Sequence, residues 1–321
     1  MNVISLLILL IAVATSANPI FGLLSRMFQP DLQHCDRKTP CKDDTFKCLH
    51  NVCMPKDTEK RTMIRRNTDV QRALFASVMS ASSFMEDAPS MLWRNDAMCQ
   101  KFENIHNASY SEGYRFLMYR GKRYDVLVFK GTTSRTEIFR DMDARKVKCQ
   151  LAPNCGEVHA GFNDVYGTMM PDVVRLLKNE TGKPYVIVGH SLGAAVSTLA
   201  ALHTKYSISR PLKAVFLLGS PRVGDETFVE TFGSLVTSNG VTVKRFFMAE
   251  GGLNGTWDPI TVIPKRGYLH VVPAVGIECH GEKGKDEKCT ARQLHAIFRY
   301  IDVLKDMVKR RFWIWRKCGV F

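Results

Sequence analysis

Apolar positions along this chain change their spacing repeatedly, and each change marks an element. Unbroken apolar runs stand at 185–188 and 214–218, with more mixed runs at 115–119, 124–129, 243–248 and 268–272. Runs of that length closed by glycine, proline or polar residues read as strands, and unbroken ones as strands buried on both faces. Between them the spacing shifts to three and four: Val70, Leu74, Val78 and Phe84; Val165, Met169, Val173, Leu176 and Leu177; Leu199 and Leu202 behind Ala194 and Ala195; Leu294, Ile297, Ile301, Leu304 and Val308. Each set predicts a helix with one buried face. Strands alternating with helices predict an α/β fold, a mostly parallel central sheet flanked by helices, with 268–272 as its last strand.

Two stretches near the start do not fit that pattern. Residues 1–17 hold an apolar run, 6–13, and then Ala14-Thr15-Ser16-Ala17. The run is short for a bilayer span and the small residues suit a cleavage site, so a cleaved secretory signal peptide is expected, with an uncleaved anchor as the lesser alternative, although no Lys or Arg precedes the run. Residues 31–60 are polar and carry Cys35, Cys41, Cys48 and Cys53. So few apolar side chains cannot make a core, and two disulfides are expected to hold the segment; its spacings lack the Cys-x-x-Cys pairs of structural zinc sites. Residues 56–66 read as a basic linker, and the main domain as 68–321.

Composition then sets the compartment and the surface. Ten cysteines, an even number, fit an oxidising, extracellular location. Cys149 and Cys155 are close enough to pair across a small loop, Cys279 and Cys289 flank a lysine-rich loop, and a bond from Cys99 to Cys318 would tie the last segment to the first helical region. Asn107, Asn179 and Asn254 open glycosylation acceptor triplets. The net charge of +14 favours anionic surfaces such as membranes, micelles or polyanionic glycans, and reads equally as a solvated basic surface. Nucleic acid fits poorly, because no basic and aromatic binding motif accompanies the charge.

The candidate chemistry sits where strand 185–188 meets the next helix, in Gly189-His190-Ser191-Leu192-Gly193. Gly-x-Ser-x-Gly between a strand and a helix is a nucleophile elbow: a sharp turn lifts the serine hydroxyl to the carboxyl end of the sheet, with helix N–H groups beside it. A serine hydroxyl needs a histidine base, and that base needs a carboxylate, here expected in the order Ser, acid, His. Of the later acids, Asp225 reads as a helix cap, Asp286 lies among lysines and Asp302 is inside the last helix; Asp258, after a strand and a glycine-rich loop, fits best. Of the histidines, His203 is on the elbow helix, His270 reads as a structural residue within a strand and His280 lies in the lysine-rich loop, which leaves His295 at the start of the last helix. His159 is assigned no chemistry. Lys130-Gly131-Thr132-Thr133-Ser134 reads equally as an oxyanion-hole loop and as a plain turn; in the first reading the Thr132 N–H and hydroxyl act with the Leu192 N–H. Ile138, Phe139 and Met142 have the spacing of a short amphipathic lid helix.

These residues resemble the fungal-type triacylglycerol lipases, the class 3 lipases with the α/β-hydrolase fold, from about Thr68 onwards. The pieces stand in the family's order: Val128-Phe-Lys-Gly-Thr132, Val158-His-Ala-Gly-Phe162, Gly189-His-Ser-Leu-Gly193, Gly219-Ser-Pro-Arg-Val-Gly224, Asp258-Pro-Ile-Thr-Val-Ile-Pro264, Tyr268-Leu-His270 and His295. The resemblance implies Ser191 as nucleophile, Asp258 and His295 as its partners, Thr132 and Leu192 as the oxyanion hole, a lid after Thr132, and hydrolysis of acylglycerol or phospholipid esters with no cofactor or metal. Lys130 stands where the family usually has Arg, and Ile138-Phe139 where the lid commonly has Trp. The Cys-rich start and the basic end, with Trp313 and Trp315 among Lys309, Arg310, Arg311, Arg316 and Lys317, lie outside the fungal pattern; that end suits an anionic lipid interface, the alternative being aromatics that pack on the core. The expected activity is a secreted serine lipase acting through an acyl-enzyme. The alternatives are a phospholipase A1, an esterase for short or aromatic acyl groups, and a lipase-like protein that binds lipid without turnover.

Overall fold

In the computed structural model, the structure describes residues 46–49, 52–55, 58–85, 101–132, 145–179, 182–265, 267–280 and 288–310. In chain order the strands are β1 (Phe46–Leu49), β2 (Val52–Pro55), β3 (Arg61–Met63), β4 (Phe102–Ser109), β5 (Arg115–Gly121), β6 (Asp125–Phe129), β7 (Lys146–Lys148), β8 (Glu157–His159), β9 (Tyr185–His190), β10 (Leu212–Leu218), β11 (Thr242–Glu250), β12 (Thr256–Trp257) and β13 (Ala274–Glu278). The helices are α1 (Asn67–Ser82), α2 (Ala160–Asn179), α3 (Leu192–Ser207), α4 (Glu226–Phe232), α5 (Ala291–His295) and α6 (Ile297–Arg310).

Nine strands form the main sheet among the described residues, in the order β3-β13-β11-β10-β9-β6-β5-β4, with β12 beside β11. Pairing is parallel from β3 through to β6 and antiparallel from β6 to β4. The two unbroken apolar runs become the neighbouring strands β9 and β10, and their alternate residues supply two cores. Val186, Val188, Ala214, Phe216 and Leu218 face α1 and α6, while Ile187, Val215 and Leu217 face α2, α3 and α4. Each fully buried side chain of this size contributes about 1.5–3 kcal/mol, so the α/β-hydrolase architecture rests on this doubly covered centre. The parallel centre turns every carboxyl end to one edge, where the elbow lies.

Three details depart from the sequence expectations. Residues 268–272 are not a strand: they make a single bridge, Leu269 to Gly224, and the last strand is Ala274–Glu278. Tyr268, Val271 and Val272 are buried by side-chain packing, which leaves an apolar run without ladder pairing. The expected linker 56–66 contains β3, paired in parallel with β13, so the sheet begins ahead of residue 68. Strand β4 has the sequence FENIHNAS, largely polar because it closes the sheet at an edge with solvent on one side.

The Cys149–Cys155 and Cys279–Cys289 disulfides are formed. Where β1 pairs antiparallel with β2, Cys48 and Cys53 are Cα partners. Asn107, Asn179 and Asn254 are exposed. Residues 1–17, Cys35, Cys41, Cys99, Cys318, the lid positions Ile138, Phe139 and Met142, Asp286, Trp313 and Trp315 lie outside the described residues. Among those described, no helix is long and apolar enough to cross a membrane.

Candidate active site

The site is built first by close approach of backbone. A Cβ on Gly189 would stand 2.2 Å from the Gly193 carbonyl oxygen, and one on Gly193 would stand 2.2 Å from the Phe129 carbonyl oxygen. Those glycines let β9 turn into α3 directly against the end of β6. Between them Ser191 has φ 58° and ψ −126°, a conformation that costs a non-glycine residue about 1–3 kcal/mol. The strain is held by the buried strand behind it and by Ser191 N–H donating to the Leu218 carbonyl at 2.9 Å.

At this elbow the Ser191 hydroxyl lies 2.8 Å from His295 Nε2, and His295 Nδ1 lies 2.9 and 2.8 Å from the two oxygens of Asp258. The carboxylate accepts from Nδ1, which fixes the imidazole tautomer and leaves Nε2 to accept from the serine. Three separate parts of the chain meet here. Ser191 comes from the β9–α3 turn, Asp258 from the turn after β12, and His295 from the last residue of α5, where the helix breaks at Ala296 before α6. All three side chains are buried.

Around the pair sit residues that chain order did not single out. Tyr300 donates its hydroxyl to Asp258 at 3.4 Å; burial first, and then the nearby carboxylate, push its ionisation well above the ordinary range, so it stays a donor. The Ile260 N–H donates to the other Asp258 oxygen at 3.0 Å. Gly219 has φ +52°, and a Cβ there would come within 2.7 Å of Asp258 Oδ2 and 3.0 Å of His295 Nδ1. The signal for it was present in Gly219-Ser220-Pro221 at the end of β10. His190 packs its ring on His295, centroids 4.6 Å apart, and its Nε2 lies 2.9 Å from the His295 carbonyl.

Leu192 is the first residue of α3, where backbone N–H groups have no acceptor within the helix. Gly131, one residue before Thr132, would meet the His190 carbonyl at 2.8 Å if it bore a Cβ, so the loop carrying Thr132 runs alongside the elbow. Lys130 in that loop lies over the Phe84 ring, and burial, then the charge of Arg115, hold its pKa below the ordinary value.

The other candidates are elsewhere. Asp225 caps α4 by accepting from the Phe228 N–H at 2.8 Å, Asp302 is within α6, and His203 bonds the Tyr166 hydroxyl at 2.8 Å. His280 is exposed. His159 stacks on Phe162 in the core. His270 is a structural residue, as expected, but in a loop: its Nε2 lies 2.8 Å from the Thr261 carbonyl. Burial, then the charge of Arg245, hold its pKa well below the ordinary value, so it donates as a neutral ring. Among the described residues there is no group of three or more side chains suited to a metal ion.

Residues 126–249 match the family model of lipase (class 3), a stretch running from β6 through the elbow to β11. The chain is 30% identical over 207 residues to phospholipase A(1) DAD1, chloroplastic, of Arabidopsis thaliana, covering 56% of this chain and 41% of that protein. It is 26% identical over 213 residues to a secreted mono- and diacylglycerol lipase of Malassezia restricta, LIP4, covering 58% of this chain and 68% of that one. The first of these relatives is thus spanned over less than half its length. The triacylglyceride lipase of Rhizomucor miehei shares the fold, with a TM-score of 0.56 at 23% identity over 66% of this chain and 82% of that one. With its α/β-hydrolase sheet and the family match across the elbow, the chain is similar to the class 3 lipases over residues 126–249.

Proposed function

We propose that this protein is a secreted serine hydrolase of acylglycerol esters, with Ser191 as nucleophile, His295 as base and Asp258 as the orienting acid. The observation that carries the reading is the unbroken relay of 2.8 Å contacts from the serine hydroxyl through the imidazole to the carboxylate. As Ser191 Oγ attacks the ester carbonyl, its proton passes to His295 Nε2, and the imidazolium formed is stabilised by Asp258. The carbonyl oxygen takes up the negative charge, which the Leu192 N–H and the Thr132 N–H and hydroxyl receive. Collapse expels the alcohol, which takes the proton from His295 and leaves an acyl-serine. Water, deprotonated by the same histidine, then releases the fatty acid.

Residues 1–17 serve in this reading as the secretion signal and 31–60 as a disulfide-held module ahead of the catalytic unit. Relatives named as secreted acylglycerol lipases support the location and the substrate class. Relatives named as phospholipases A1 favour a second reading in which the ester belongs to a phospholipid. The test is fatty-acid release from a triolein or diolein emulsion and from phosphatidylcholine vesicles, by the wild-type chain and by Ser191→Ala. Release from the emulsion that vanishes in the variant, with its thermal transition unchanged, supports the first reading. Release from vesicles alone selects the second, and equal release by the variant overturns both.

A further inference from the structure

The acid of the triad stands on a tight turn, and the turn is held from outside by carbonyls. Thr261 donates its hydroxyl to the Asp258 carbonyl at 2.7 Å, closing the turn on itself. His270 then donates to the Thr261 carbonyl at 2.8 Å. Arg222 donates from Nη1 to the Val262 carbonyl at 2.5 Å and to the Pro264 carbonyl at 3.2 Å, and from its backbone N–H to the Ile263 carbonyl at 2.9 Å. Four consecutive carbonyls beyond the acid thus depend on two residues, 222 and 270.

Those two residues converge on one carboxylate. Glu59 Oε2 accepts from Arg222 Nη2 at 2.8 Å, and Oε1 accepts from Arg222 Nε at 3.2 Å and from the His270 N–H at 3.0 Å. Burial alone would raise the Glu59 pKa, but the bonds from Arg222 and His270 and the charges of Arg222 and Arg245 outweigh it, and the group is held below its ordinary value. The same short segment grips the other side of the acid: two residues on, the Arg61 guanidinium lies 4.2 Å from the ring centre of Trp257, the residue before Asp258. Glu59 is therefore the counter-charge in a cluster of arginines, and it is delivered by the chain just ahead of β3.

The tolerance at the acid is small. His295 Nδ1 contacts both Asp258 oxygens within 0.1 Å of the same distance, and Gly219 leaves no room beside them. A shift of about 1 Å at such a site costs on the order of a hundredfold in rate. We propose that Glu59 is a positioning residue for the triad, locking Arg222 and His270 and through them the turn that sets Asp258 against His295. This rests on the reading of Asp258 as the catalytic acid.

The experiment is a double-mutant cycle in the full chain with Glu59→Gln and Asp258→Ala, read by kcat and KM on p-nitrophenyl butyrate and by the second-order rate of fluorophosphonate labelling. Glutamine keeps an acceptor for the His270 N–H and removes the charge facing Arg222. Expected is a fall in kcat and labelling rate of about tenfold with KM within about twofold, shrinking to less than about twofold when Asp258 is already alanine. The same fall in both backgrounds, or none in the wild-type background, overturns the proposal and leaves Glu59 a purely structural residue. Should Glu59→Gln not fold, Arg222→Lys enters the same cycle with the same expectations. Asp258→Ala without effect on its own would instead strike at the triad reading, and the two failures are told apart by that single variant.

Discussion

Two of the described aspartates are completely buried, at opposite ends of the same sheet, and their surroundings differ in kind. Asp125 opens β6 at the amino end of the parallel strands and is paired with Arg210 and with Lys183, the latter at 2.9 Å. Its charge is met by two permanent cations, which is what a fixed carboxylate in the interior requires. Asp258 lies beyond the carboxyl ends and is met by the imidazole of His295, the hydroxyl of Tyr300 and the N–H of Ile260. Its strongest partner is a group that becomes cationic when a proton arrives. A carboxylate matched at rest holds structure together, whereas one matched only after proton transfer stores its stabilisation for the transition state.

That contrast yields opposite phenotypes for the same substitution. Asp258→Asn keeps the side-chain shape and should lower kcat about 10⁴-fold, equivalent to roughly 5 kcal/mol, with little change in unfolding free energy. Asp125→Asn should leave hydrolysis per folded molecule intact while costing about 3–5 kcal/mol in denaturant unfolding, because Arg210 and Lys183 lose their buried counter-charge. If both variants fall in activity and stability together, the division between the two ends is wrong.

A smaller effect is expected beside the acid. Gly219→Ala introduces a Cβ 2.7 Å from Asp258 Oδ2 at a positive φ. The strain should cost about 1–3 kcal/mol of stability, and displacement of the carboxylate about a hundredfold in kcat. An alanine variant with wild-type turnover would show that the acid tolerates movement.

The smallest effect is one of pH. The His270 pKa is held well below the free value of 6.5, so the unfolded chain binds a proton that the folded one refuses. Stability from this group is complete above about pH 6.5 and is lost as pH falls below it, by at most about 1.4 kcal/mol per pH unit. His270→Gln, which can still donate to the Thr261 carbonyl, should flatten that slope between about pH 6.5 and 5 in denaturant titrations. An unchanged slope would remove His270 as its source.

The elbow was legible because it is local: two glycines and a serine between an apolar run and a small-residue run carry their own geometry. That Asp258 and His295 would meet at the elbow was legible through chain order, although 67 positions separate Ser191 from Asp258 and a further 37 separate Asp258 from His295. What stayed hidden is long-range. Glu59 and Arg61 sit in a stretch whose charges read as a linker, and only pairing with β13 shows that Arg61 belongs to the sheet and that Glu59 directly precedes it. The run 268–272 looked like a strand because burial by side chains and burial by a ladder leave the same apolar signature, whereas Ala274–Glu278 contains a glycine and a glutamate. Tyr300 was invisible for a related reason, since on a helix with an apolar face an aromatic residue carries no mark of the carboxylate it will meet.

The most direct test of the central claim is to label the purified full-length protein with a fluorophosphonate and map the modified peptide. One phosphonylated residue is expected, Ser191, with labelling lost in Ser191→Ala and slowed in Asp258→Asn. No labelling with or without detergent, or attachment at another residue, would contradict it.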